Sequence, residues 1–193
     1  MSKNALIVDA GAKLGGQGGT LSKTYADKAA EILREAGWNV EKSHPDRYWV
    51  MADEVEKVSK ADFILAQIPI WWMSAPWSYK RWFDLVFMNV PFGDDGRTHT
   101  NPDVNYGRGG HLQGHYMLST TWNAPRNAFV DPKEFFEGKG IDAVLFPLHK
   151  AYQFVGLKPL ETFMANDVLK NPTFEEDMAR FEKTLKANLA KIG

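Results

Sequence analysis

The chain has 193 residues, 44 % hydrophobic and 24 % charged, with a net charge of −1 and no cysteine. That length suits one domain spanning residues 1–193 with a sizeable core, and the composition excludes a disordered chain. The near-neutral charge leaves no electrostatic footprint for nucleic acid; the lack of cysteine excludes disulfides, thiolate metal sites and a cysteine nucleophile, and fits a reducing compartment.

Residues 5–8 (ALIV) form an unbroken apolar run, the pattern of a strand buried on both faces. The run is too short for a secretory signal, and no apolar window is long enough to span a bilayer, so a soluble cytoplasmic protein with no membrane span is expected. A glycine-rich loop, GAKLGGQGGT, occupies 11–20. Leu21, Tyr25, Ala29, Ile32, Leu33 and Ala36 then recur at helical spacing, and Gly37 stands where a helix stops. Residues 38–43 read as a second strand, 50–61 as a short helix and 62–68 (DFILAQI) as a third buried strand. Pro76 opens a helix running to about residue 89, since proline is favoured in a first turn. The stretch 91–114 is polar and rich in Gly, Asp and Asn, a long loop of the kind that is usually functional or disordered. Residues 115–121 (HYMLSTT) read as a fourth strand, helical segments are expected near 133–138 and 144–155, and 159–165 (PLETFMA) as a fifth strand. Thr173 with Glu176 makes a capping box, and Met178, Phe181, Leu185, Leu189 and Ile192 give the apolar stripe of a last helix.

Strands alternating with helices, with the strands buried, predict an α/β fold: a flavodoxin-like three-layer sandwich around a five-stranded parallel sheet of order 2-1-3-4-5. In such sheets ligands bind beyond the carboxyl ends of the strands, at the switch point. Three loops therefore matter. The first, 11–24, carries Gly11, Gly15, Gly16, Gly18 and Gly19. It runs into a helix start whose free N–H groups suit phosphate. Its spacing is neither that of a Rossmann dinucleotide site nor that of a P-loop. Thr20, Ser22 and Thr24 add hydroxyls. The second, IPIWWMSAP (68–76), puts a tryptophan pair in a turn, where a flat, electron-poor ring stacked on it would explain the choice. The third, TWNAP (121–125), offers a ring face, an amide and backbone N–H groups for the polar edge of such a ring.

IPIWWMSAPWSYKRWFDLVF (68–87), YGRGG (106–110), YMLSTTWNAP (116–125), FPLHKAYQFVGL (146–157) and TFMANDV (162–168) together resemble the modulator of drug activity B family. Its members are flavin-dependent NAD(P)H:quinone oxidoreductases of the flavodoxin-like fold that act in protection from oxidative stress and drugs. The resemblance covers nearly the whole chain. It implies FAD in preference to FMN, NAD(P)H as electron donor, small quinones as acceptors in a two-electron ping-pong cycle, and a homodimer. Carried onto this sequence, it places the phosphate loop at Gln17, Gly18, Gly19, Thr20, Leu21, Ser22, Lys23 and Thr24. The ring loops fall at Pro69, Ile70, Trp71, Trp72 and Met73 and at Thr121, Trp122, Asn123 and Ala124, and Tyr106 closes over the site. Gly16-Gln17 stands where members often have His-Ser, and Arg108 where they often have a small residue.

Tyr106 and His149 are the candidates for settling a proton or charge during catalysis. His149 lies off the apolar face of Leu148, Tyr152 and Val155 and so reads as a surface or interface residue. No spaced His/Asp/Glu cluster predicts a metal, and Ser74 and Ser119 lack the G-x-S-x-G context of a hydrolase. The wide apolar arc of the 76–89 helix, from Trp77 to Met88, predicts burial on a second side by a partner copy. The rival functions are a flavodoxin-like azo- or nitroreductase and a non-enzymatic flavin-binding electron carrier or interaction protein.

Overall fold

The computed structural model describes residues 2–13, 16 and 18–192. The elements follow in the order β1 Asn4–Asp9, α1 Thr20–Glu35, β2 Asn39–Ser43, α2 Met51–Lys60, β3 Phe63–Pro69 and α3 Trp77–Phe87. Then come β4 His115–Thr121, α4 Asn127–Val130, α5 Gly140–Val144, α6 Phe146–Phe154, β5 Lys158–Pro159, β6 Phe163–Ala165 and α7 Phe174–Ile192. The sheet is parallel throughout, in the order β2-β1-β3-β4-β5, with β6 also paired to β4.

Period-two alternation divides each central strand between two helical layers. Ala5, Ile7, Phe63, Leu65 and Met117 pack with Tyr25, Ala29, Leu33, Phe181 and Leu185 from α1 and α7. Leu6, Val8, Ile64, Ala66, Ile68 and Leu118 face the other way, onto Val58, Trp82, Val86 and Tyr152 from α2, α3 and α6. A sheet covered on both faces needs strands that are apolar at every position, which is why the runs at 5–8 and 62–68 do not alternate.

Two expected elements differ. The single strand over 159–165 is two short ones: β5 ends at Pro159, Leu160 N–H bonds to Tyr116 O at 2.8 Å, and pairing resumes at Phe163 opposite Ser119. Proline cannot donate to a ladder, which breaks the run. Residues 133–138 form consecutive turns rather than a helix, bounded by Pro132 and by left-handed Glu137 and Gly138; the helical segments lie to either side, in α4 and α5. At the start of α7, Thr173 Oγ1 bonds Asp177 Oδ2 at 3.3 Å rather than completing a box with Glu176.

The helical layer made by α3 and α6 is unusually rich in buried phenols. Tyr79 and Tyr152 share a hydrogen bond at 2.6 Å, and the Tyr152 ring stacks on Tyr116 with centroids 4.6 Å apart. Burial pushes Tyr79 and Tyr152 well above the ordinary phenol range and Tyr116 up to about 12. A raised phenol stabilises the fold fully below pH 10, where both states are protonated. The unfolded chain then ionises first, so that stability is lost as pH rises from 10 towards about 12. Urea unfolding should therefore give a falling midpoint above pH 10, with the phenolate absorbance of these three buried tyrosines appearing only together with unfolding.

The loop 91–114 leaves the end of α3 and enters the first residue of β4, so it lies at the amino-terminal edge of the sheet. Gly93 and Gly110 bridge across it, and Leu112 N–H bonds Val155 O at 3.0 Å. Gly109 and Gly110 are required by close backbone approach, since a Cβ would overlap Asp94 at one and the Phe154–Gly156 backbone at the other. The run YGRGG thus has a packing reason of its own.

Candidate functional site

The loops after β1, β3 and β4 converge at the carboxyl edge of the sheet on one cleft of about 450 Å³. Gly18, Gly19, Thr20, Leu21 and Ser22 supply one side, Pro69, Ile70 and Trp71 another, and Thr121 and Asn123 a third. Parallel pairing sets this meeting point: Asp9 is level with Gln67, Gln67 with Ser119 and Pro69 with Thr121. A second cleft of about 550 Å³ adjoins it, sharing Gly18, Gly19 and Thr20 and lined also by Asp9, Gly11, Lys13, Lys23, Asp46 and Arg47.

The first loop is built to leave donors free. Gly18 and Gly19 have φ of 107° and 82°, which only glycine adopts without strain, and Gly19 caps α1 with no side-chain hydrogen bond. No acidic residue occupies the first turn of α1. Ser22 is buried, and its Oγ has no hydrogen-bond partner. A buried hydroxyl without a partner is costly, and one at a helix start beside free N–H groups suits an anion. The residues present therefore fit the phosphate end of a flavin. Thr24 fits it less well, because its hydroxyl is committed to Thr20 O at 3.0 Å. Lys23 pairs with Asp27 and lines the adjoining cleft. Gln17 lies outside the described residues.

The tryptophan pair divides. Trp71 lines the cleft, while Trp72 is 94 % exposed at the tip of a two-residue turn. Trp71 and Ser74 bond to each other in both directions, N–H to O at 2.9 and 3.1 Å. The central residues Trp72 and Met73 have φ of 49° and 63°. That is the turn geometry for which Asn-Gly is strongly preferred, and bulky residues there are strained. Replacing the pair Trp72-Met73 by Asn-Gly should raise the melting temperature by about 2–4 °C, through relief of about 1 kcal/mol of strain; calorimetry of the two proteins measures it.

Trp122 does not present a ring face. It is buried against Phe129 at 4.8 Å, its Nε1 donates to Thr120 Oγ1 at 2.9 Å, and its backbone N–H donates to Ala165 O. Ala124 O accepts from Asn166 and Asp167, tying this loop to the turn after β6. That turn brings Val168 and Leu169 to the cleft, and Ala12 comes from the first loop. Ala12 falls within the expected loop 11–24, whereas Val168 and Leu169 were not among the expected cleft residues. Only the position of 168–169 beyond a strand end signalled them.

The two candidates for proton handling lie elsewhere. Tyr106 packs on Phe154 at 5.6 Å with Arg97 over its ring, at the opposite end of the sheet from the cleft. His149 is buried rather than on the surface. Its Nδ1 meets Tyr116 Oη at 2.8 Å and its Nε2 meets Asp142 Oδ1 at 3.2 Å and Thr162 Oγ1 at 3.4 Å. That hydrogen bond from His149 holds the Asp142 carboxyl below its usual range. Tyr116 is the second residue of β4, about 16 Å of strand from Thr121. The chain does not itself bring either residue to the cleft. Among the described residues no group of His, Asp and Glu is placed to hold a metal ion, and no helix is long and apolar enough to cross a membrane.

The sequence matches the flavodoxin-like fold family over residues 3–189. It is 41 % identical over 193 residues to the NADPH:quinone oxidoreductase MdaB of Haemophilus influenzae, covering 98 % of each chain. It is 43 % identical over 171 residues to an uncharacterised protein of Schizosaccharomyces pombe, covering 86 % of this chain and 87 % of that one. Among solved structures, the NAD(P)H:quinone oxidoreductase of Methanothermobacter marburgensis superposes with a TM-score of 0.69 at 16 % identity, covering 98 % of each chain, which is a similarity of fold.

Proposed function

Because this chain belongs to the flavodoxin-like fold family and within it to the modulator of drug activity B family, we propose that it is a flavin-dependent NAD(P)H:quinone oxidoreductase reducing quinones to quinols two electrons at a time. The observation that carries this reading is the cleft where three loops meet, with a ring-sized apolar floor at one end and unclaimed phosphate donors at the other. The adjoining cleft supports FAD over FMN, since it gives an adenosine diphosphate half a place continuous with the phosphate cradle and bordered by Lys13, Lys23 and Arg47.

A flavin held there would supply the redox chemistry, two-electron transfer from NAD(P)H to a quinone. The protein's part is position. The N–H groups of Gly18 and Gly19 and the hydroxyls of Thr20 and Ser22 hold phosphate at the positive end of α1. Pro69, Ile70, Trp71 and Leu169 keep water from the ring, and the Asn123 amide orients its polar edge. Donor and acceptor would take turns on the same face of the ring, which is a ping-pong order. His149 then holds α6 to β4 and takes no part in the reaction.

A homodimer completes the site. α3 buries Trp82, Phe83, Val86 and Phe87 but leaves Trp77, Leu85 and, just past its end, Met88 exposed, a face that a second copy would cover. Tyr106, remote from its own cleft, then closes the cleft of the other copy. The test is a visible spectrum of the purified protein, identification of the extracted flavin, and steady-state rates with menadione, an azo dye and a nitroaromatic. A colourless protein that takes up no flavin on incubation with FAD would sink the reading. Quinone turnover no faster than free flavin gives would sink the quinone assignment alone.

A further inference from the structure

The phosphate cradle contains a negative charge of its own. Asp9, the last residue of β1, is buried, and its Oδ1 accepts the Gly11 N–H at 3.0 Å. One donor of the glycine loop is therefore taken by a carboxylate rather than left for a ligand. A Cβ built on Gly11 would lie 2.9 Å from Asp9 Oδ1 and 2.9 Å from Ser22 Cβ, so these groups share one small volume. That puts the carboxylate within about 6 Å of Ser22, a range at which like charges in a partly dry site repel by more than RT. Its neighbours in the sheet at the same level, Gln67 and Ser119, are neutral. Facing it are His44, with Nδ1 3.5 Å from Oδ2, and around the adjoining cleft Lys13, Lys23, Asp46 and Arg47.

We propose that Asp9 sets how tightly this chain holds the phosphate end of its cofactor. Its carboxylate takes the Gly11 N–H from phosphate and repels the phosphate, so the flavin exchanges instead of being locked in. The inference rests on the flavin reading above and adds to it a residue whose charge, rather than its shape, tunes affinity. Asparagine is the matching probe: its side-chain oxygen still accepts the Gly11 N–H, so Asp9→Asn removes the charge and keeps the turn.

The experiment titrates apoprotein with FMN, FAD and riboflavin by quenching of flavin fluorescence, in the parent and in Asp9→Asn, at fixed ionic strength. The variant should bind FMN and FAD about tenfold more tightly or better, while riboflavin, which has no phosphate, changes by less than about twofold. FMN affinity equal to that of the parent, or a gain as large for riboflavin, would overturn the assignment. A parallel measurement needs no flavin. Pyrophosphate should raise the melting temperature of Asp9→Asn more than that of the parent, and equal shifts would overturn the assignment there too. If neither protein binds any flavin, the flavin reading falls by itself and the pyrophosphate arm still decides the role of Asp9.

Discussion

Replacing Trp82 with alanine should cost about 3–5 kcal/mol of folding stability and lower the melting temperature by about 10 °C or more. Trp82 has no exposed surface and is the largest of the fully buried side chains. It packs on Tyr79 and Phe87 with ring centroids 6.0 Å away from each. Its Nε1 also donates to Glu54 Oε2 at 2.8 Å, and the buried Glu54 is held on its other oxygen by Lys57 Nζ at 2.6 Å. Truncation would open a cavity between α2 and α3 and leave a carboxylate oxygen without its donor. Both defects are costly in a dry layer. Trp82→Phe separates them: it keeps most of the packing and loses only the donor, so it should fall between the parent and the alanine variant. Denaturant unfolding of the three proteins checks this. A loss below about 1 kcal/mol for alanine would mean that the layer collapses around the gap.

Replacing Gly11 with alanine should have the larger effect on ligand binding. The new Cβ would meet Asp9 Oδ1 and Ser22 Cβ at 2.9 Å and the backbone Gly19 O at 3.1 Å. None of these is the far end of a long flexible side chain, so the first loop must shift as a unit. On the flavin reading, a displacement of this kind at the cradle weakens flavin binding by about a hundredfold, with about 1–3 kcal/mol of stability lost to overpacking. Gly37→Ala is the comparison. Gly37 has φ of 82° and nothing within 4 Å of an added Cβ, so alanine there strains one turn and touches nothing. It should cost about 1 kcal/mol and leave flavin affinity unchanged. Melting curves and flavin titrations on both variants make the comparison. Equal flavin affinity in Gly11→Ala and parent would show that the cradle is not where ligand binds.

Much of this architecture was legible because its determinants are local. Apolar runs at 5–8 and 62–68, helical spacing from Leu21 to Ala36 and the glycine at 37 each name an element and its bounds. The three site loops followed from the sheet order alone. What escaped was set by distant neighbours. The 133–138 stretch holds helix-favouring Lys and Glu, but left-handed Glu137 and Gly138 and the packing of Phe136 on Phe129 turn it into successive turns. His149 sits off the apolar stripe of α6, yet Tyr116, Asp142 and Thr162 gather round it from three other parts of the chain. Nothing in its local sequence reports that. Trp71 and Trp72 are adjacent and chemically identical, and only the turn sends one to the cleft and the other to water. Trp122 looked like a ring platform because its loop is in the right place, while its ring belongs to a cluster built by Phe129 and Phe136.

The division of the last strand has a consequence for how this molecule behaves when crowded. Open sheets invite growth by adding strands at their margins. Here one margin offers only the dipeptide Lys158–Pro159 and the three residues of β6, interrupted by Leu160–Thr162, and proline withholds a donor. The other margin is the five residues of β2, with Glu41 and Lys42 each held in ion pairs, to Lys60 and Asp27. Neither margin presents a long, flat, apolar template. Growth by strand addition, the route to fibres, is disfavoured at both sides, so any contact between copies would fall to helix surfaces.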